Sequence, residues 1–233
     1  GGTSLTAIRL AHALRRAGFA LTARQLFRAP TMRGQLALVR PEPDTTRGGA
    51  EPAEGAVSPE QEDLLEGGLP HPELWAHSLV LTAARPLDPE WLGVVVKRVA
   101  AAHPGLCSAF RRTDTGWRAD ATDRRLWRVE APGADPARVA AAHRAAFDLR
   151  EGPLFAASLI PGEPDRIVLT AHHLVVDGLS WQILVDDLDR AYHGARPAAE
   201  ARHPSAYAAA WRHHDVRDQR DYWRDQLAGD AAL

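Results

Sequence analysis

The run His172-His173-Leu174-Val175-Val176-Asp177-Gly178 places two imidazoles, a carboxylate and a glycine in one short segment. Histidine has an unperturbed pKa, about 6.5, that lets it take and give protons near neutral pH. A strand-end loop on a rigid scaffold is where such a group commonly works. Three structural readings compete with a catalytic one. The histidines can be a hydrogen-bonded pair closing a strand. His173 and Asp177 can ligate a metal, although no third ligand stands at a suitable spacing. Asp177 or Ser180 can cap the helix that follows, a role compatible with function.

The flanking sequence supplies elements to hold this run. Residues 154–160 and 166–171 are apolar stretches split by Pro161-Gly162, the pattern of a hairpin. Beyond the run, Trp181, Leu184, Val185, Leu188 and Tyr192 recur at helical spacing. Upstream, 59–66 reads as a helix and 75–81 as a strand. Asp88-Pro89 opens another helix with a capping carboxylate and a proline at its first position. Trp91, Leu92, Val95, Val96 and Val99 form its buried face. Strands are expected at 106–111 and 126–129, a helix at 136–147, and two closing helices at 205–213 and 215–227. Strands alternating with helices make residues 57–233 an α/β (α+β) unit.

Residues 1–39 read as a separate, small all-α unit. Ser4 stands at an N-cap position, Leu5, Ile8, Leu10 and Leu14 give an apolar face, and Gly18 stops the helix. Short helices follow at 23–27 and 31–38. From 40 to 56 the apolar pattern gives way to Pro, Gly, Glu, Asp and Thr, the composition of a flexible linker.

At 233 residues, 45% hydrophobic and 25% charged, the chain has material for one or two cores. A net charge of −2 argues against a polyanion-binding surface. Lys97 is the only lysine, and Cys107, alone, excludes a disulfide framework or a cysteine-based zinc site. No apolar run approaches transmembrane length. The chain opens at Gly1-Gly2 and stops at Leu233 without a closing element, so an internal piece of a longer protein is expected.

Gly1-Gly2-Thr3-Ser4-Leu5, followed by the run from Phe19 to Thr31 and by Gln35-Leu36-Ala37, resembles the second half of a peptidyl carrier protein. The resemblance implies that Ser4 carries 4′-phosphopantetheine, and a helix N-terminus favours the phosphodiester anion. The carrier's first helix is absent, and Thr3 replaces the Asp or His often found before the serine. His-His-x-x-x-Asp-Gly in turn resembles the signature of the condensation-domain superfamily of nonribosomal peptide synthetases, which has a chloramphenicol acetyltransferase-like fold. Trp117, Phe147-Asp148-Leu149, Gly152-Pro153-Leu154 and Asp221-Tyr222-Trp223 extend the likeness over most of 57–233. The implied chain is a synthetase fragment: the C-terminal portion of a carrier (1–39), a linker (40–56) and the N-terminal lobe of a condensation/epimerization domain (57–233).

Ser180-Trp181 after Gly178, and Asp187-Leu188 further on, resemble the epimerization type; condensation domains proper more often place Trp-Ser directly after the glycine. The implied reaction is L-to-D inversion at the α-carbon of a carrier-bound aminoacyl or peptidyl thioester. His173 resembles its acid/base, within a motif completed by His172, Asp177 and Gly178, and a glutamate of the other lobe is its counterpart. A peptide-bond-forming domain, with His173 positioning or deprotonating an amine, is one alternative, and a non-catalytic recruitment platform another. Implied partners are the tethered thioester and adjacent carrier and adenylation domains, in the cytoplasm, with no metal, nucleic acid or membrane. Cys107 stands where the family has an arginine paired with the motif's aspartate. Asp177, expected in a buried site, therefore needs Arg111, Arg112 or backbone amides as partner. Cys107 itself is expected to be inert packing, and His213-His214 to be solvated. With the second lobe absent, the fragment alone is expected to be inactive.

Overall fold

The computed structural model describes residues 4–41, 55–68, 70–197, 203–212, 215 and 217–228. Gly1-Gly2-Thr3, most of the predicted linker and His213-His214 lie outside these. The chain divides into two compact units, residues 1–50 and 51–233.

The first unit opens with α1 (Ser4–Arg16). Gly18, at φ 85°, takes the left-handed conformation that turns the chain after the helix. Thr22 and Gln25 form a capping box on α2 (Ala23–Arg28), and the Thr31 side chain caps α3 (Met32–Leu38). β1 (Phe19–Ala20) pairs antiparallel with β2 (Arg40–Pro41). The unit predicted as all-α thus also holds a short ladder, and its second strand comes from the start of the predicted linker.

In the second unit, α4 (Pro59–Glu66) begins at a Ser58–Gln61 capping box. There follow β3 (Ala76–Thr82), α5 (Pro89–Ala102), β4 (Ser108–Thr113), β5 (Gly116–Ala121), β6 (Leu126–Val129), α6 (Pro136–Ala145), β7 (Phe155–Ile160), β8 (Arg166–His172), α7 (Ser180–Tyr192), α8 (Pro204–Arg212) and α9 (Arg220–Leu227). A four-stranded sheet runs β3-β8-β7-β6, antiparallel except between β6 and β7. β4 and β5 form a separate hairpin.

Helices cover both faces of the larger sheet. On one, Leu92, Val95, Val96 and Val99 of α5 and Leu184 and Leu188 of α7 meet Phe155, Ala157, Leu159, Leu169 and Ala171. On the other, Val139 and Ala140 of α6 meet Ile160 and Val168. Burial on two faces explains why β7 is apolar at nearly every position instead of alternating. A polar chain crosses the α6 face. The fully buried His143 contacts Ser158 Oγ through Nε2 (2.8 Å) and Thr170 Oγ1 through Nδ1 (3.0 Å), and Ser158 Oγ donates to Glu130 (2.8 Å). Desolvation drives the His143 pKa down to about 4.

Two elements differ from the sequence expectation. Pro104 starts a 3-10 turn, Pro104–Cys107, which delays the strand predicted from 106 to Ser108. β5 is absent from the sequence reading because only Ala119 of it is fully buried, so no apolar alternation marks it. Gly55, at the end of the predicted linker, bridges to Ala119, and Val57 is fully buried beside Phe110 and Leu154. His103, just after α5, bonds Asp187 of α7 at 2.8 Å in a buried setting. Among the described residues, no helix is long and apolar enough to cross a membrane.

Candidate active site

β8 ends at His172, paired with Ala76 where β3 begins. Past that point the chain coils tightly: the Val175 and Val176 amides both donate to the His172 carbonyl (3.0 and 3.2 Å), and the His173 amide donates to the Trp75 carbonyl (2.9 Å). Leu174 and Val176 are buried in two different apolar clusters and act as anchors. Gln61 of α4 donates from Nε2 to the Leu174 carbonyl at 2.8 Å. With these residues turned inward, His173, Asp177 and Gly178 are left toward solvent.

The structure gives the two histidines different jobs. His172 is fully buried. Its Nδ1 accepts the Leu174 amide (3.1 Å), which puts the ring proton on Nε2, donated to the Pro72 carbonyl at 2.7 Å. Burial lowers its pKa, and the Pro72 carbonyl only partly offsets this. His172 is thus a neutral brace between β8 and the segment leading into β3. It follows the strand-closing reading.

His173 is only half-buried, and its Nε2 lies 2.8 Å from Nε2 of His77 on β3. The rings meet edge to face, with centroids 3.9 Å apart and planes at 69°. Burial lowers the His173 pKa, His77 adds to this, and a hydrogen bond to the Val176 backbone and the Asp177 charge oppose it. His173 is therefore a neutral, accessible imidazole at pH 7, the form a general base needs.

Asp177 follows the capping reading. Its Oδ1 accepts from the Leu179 amide (3.1 Å), the Ser180 amide (2.7 Å) and Ser180 Oγ (2.6 Å), fastening the first turn of α7. Partial burial pushes its carboxyl up, but these hydrogen bonds outweigh it and hold the pKa below the usual carboxylate range. The sequence placed this carboxylate in a buried site; it is exposed. Of the partners expected for it, backbone amides take the role. Arg111 pairs with Asp120 at 3.2 Å and Arg112 with Glu66 at 3.8 Å. Cys107 is buried, its thiol near the Ala100 carbonyl and Arg125. Trp181 is core beneath α7, so the Ser180-Trp181 pair acts through a cap and a packed indole. At Gly178 an added Cβ would meet nothing within 4 Å, which leaves open space beside His173's loop.

Ser4 stands in the other unit, as the first residue of α1, whose first turn carries no acidic side chain. A helix start without carboxylates fits a phosphodiester at that position. Among the described residues, no group of three or more His, Cys, Asp or Glu is arranged to hold a metal ion. His77 is the site residue the sequence reading missed. It is remote in sequence, and only the antiparallel register of β3 against β8 brings it beside His173.

A buried histidine brace, a half-buried imidazole beside it and a capped helix start thus follow β8, and a serine-headed helix opens the chain's other unit. Residues 56–233 match the condensation domain, and residues 1–39 match the phosphopantetheine attachment site. The chain belongs to the condensation-domain family of nonribosomal peptide synthetases, and its first segment is a phosphopantetheine-bearing carrier. It is 31% identical to a linear gramicidin synthase polypeptide of Brevibacillus parabrevis over 98% of its own length, but spans only 5% of that relative. The epimerization domain from the third module of tyrocidine synthetase B shares the fold, with a TM-score of 0.65 and 20% identity over 80% of this chain and 48% of that one. The X-domain solved in complex with OxyB from teicoplanin biosynthesis gives a TM-score of 0.62 at 24% identity, over 79% of this chain and 45% of that one. The chain thus spans about half of each solved chain.

Proposed function

We propose that residues 57–233 form the N-terminal lobe of an epimerization-type domain, of chloramphenicol acetyltransferase-like fold, joined by the linker 40–56 to the carrier segment 1–39. In this reading Ser4 is the attachment point of 4′-phosphopantetheine, and the assembly works in the cytoplasm within a larger synthetase. The arm, when attached, supplies a thioester whose carbonyl acidifies the adjacent Cα–H. His173 Nε2 takes that proton, and an acid on the opposite face, from the second lobe, returns one to the other side. His172 and Asp177 hold the loop so that His173 keeps its place, and Gly178 leaves room for the incoming thioester. Neighbouring carrier and adenylation domains would deliver the loaded substrate.

The observation that carries this reading is the division of labour within the motif: His172 is locked and neutral, while His173 is only half-buried, its Nε2 against the exposed His77. The Ser180-Trp181 order supports epimerization over condensation. Amide formation is the second reading, because a base at His173 could equally take a proton from an attacking amine. The test loads the carrier of the full-length synthetase with an L-aminoacyl arm and follows the D/L ratio. Accumulation of the D form supports the proposal. Amide formation without inversion, once an acceptor carrier is added, would replace it with the second reading.

A further inference from the structure

The 2.8 Å contact between His77 and His173 has a consequence for proton chemistry that neither family motif contains. Two imidazole nitrogens at that distance leave room for one hydrogen between them. When neither ring is charged, one Nε2 donates and the other accepts. When the pair gains a single proton, an imidazolium donates to an imidazole, a charge-assisted bond. A second added proton sets two N–H cations face to face and removes the acceptor.

We propose that His77 is a positioning residue that shares a proton with His173, orienting its Nε2 and keeping His173 partly unprotonated under mildly acidic conditions. This rests on the reading of His173 as the acid/base. The groups acting on His173 are His77 from β3, His172 beside it and Asp177 from the loop after it, with Glu73 of the turn before β3 acting on His172. Of these, His77 is the one within hydrogen-bond distance of Nε2, at 2.8 Å. When His173 takes a substrate proton, the exposed His77 first withdraws its N–H from the Nε2 lone pair, which the Cα–H then meets, and His77 keeps its own proton. The pair gains one positive charge, matched by the negative charge left on the thioester's α-carbon.

The test does not depend on turnover. In the chain labelled with 15N-histidine, NMR titration should show His173 changing in two steps. In His77→Gln, a neutral amide that can still donate to Nε2, His173 should titrate in one step. A single step in the wild type, or two in the variant, would overturn the proposal. In the full-length synthetase, with each protein's inversion rate scaled to its own value at pH 8, His77→Gln should fall at least about threefold further than wild type at pH 5. His77→Ala should behave likewise and lose rate at pH 8 as well. A uniform loss at every pH would reduce His77 to a packing role. Inversion retained in His173→Ala would instead refute the functional reading and leave the NMR result standing.

Discussion

Acid should weaken the second unit by an amount that can be traced to one side chain. His143 sits between Ser158 and Thr170 with a pKa lowered from 6.5 to about 4, chiefly by burial. The folded state thus binds that proton less readily than the unfolded state. Stability is complete above pH 6.5 and declines as pH falls toward 4, where the folded form also becomes protonated. With those two values, the His143 contribution lost between pH 7.5 and pH 5 is about 2 kcal/mol. His143→Gln should be less stable at pH 7.5, by about 1–3 kcal/mol, because Ser158 and Thr170 lose their fitted partner. Its further loss on going to pH 5 should be about 2 kcal/mol smaller than that of the wild type. His172, also buried with a lowered pKa, is present in both proteins, so its contribution cancels in the comparison. Urea unfolding followed by tryptophan fluorescence suits the purpose, since all 7 tryptophans lie in the second unit. Equal pH dependence in the two proteins would refute the argument that His143 is held neutral by its surroundings.

Gly93 of α5 faces the Trp127 indole so closely that an added Cβ would lie 2.6 Å from Nε1. Gly93→Ala should destabilise the second unit by about 1–3 kcal/mol in the same unfolding assay, despite alanine's better helix propensity. Asp187→Ala removes the buried 2.8 Å contact to His103 and should cost about 1–3 kcal/mol, with a lower melting temperature by calorimetry. Asp177→Ala removes three hydrogen bonds at the start of α7 and should cost about 1–2 kcal/mol, seen as faster amide exchange in the first turn of that helix.

Much of the scaffold was legible because it rests on local signals. The Asp88-Pro89 start of α5, the Ser58 start of α4 and the Pro161-Gly162 break between β7 and β8 each depend on residues a few positions apart. The motif's position at the end of β8 followed from the same kind of reading. What escaped depended on pairing at long range. β5 becomes a strand by lying against β4, and the sequence of neither strand shows it alone. For Asp177 the sequence left Arg111, Arg112 and backbone amides open as partners, because residue types do not show where the backbone turns; two amides and a hydroxyl within three residues satisfy it. Residue types alone did not separate His172 from His173; only the family resemblance pointed to His173. Adjacent histidines point to opposite sides of a strand end, and only the observed burial tells which one is free to act.

The most direct test of His173 as the acid/base is the stereochemistry of an L-aminoacyl arm on the carrier of the full-length synthetase, in wild type and in His173→Ala. The wild type should give a mixture of D and L forms, and the variant should retain the L configuration. Inversion that survives loss of His173 would contradict that role.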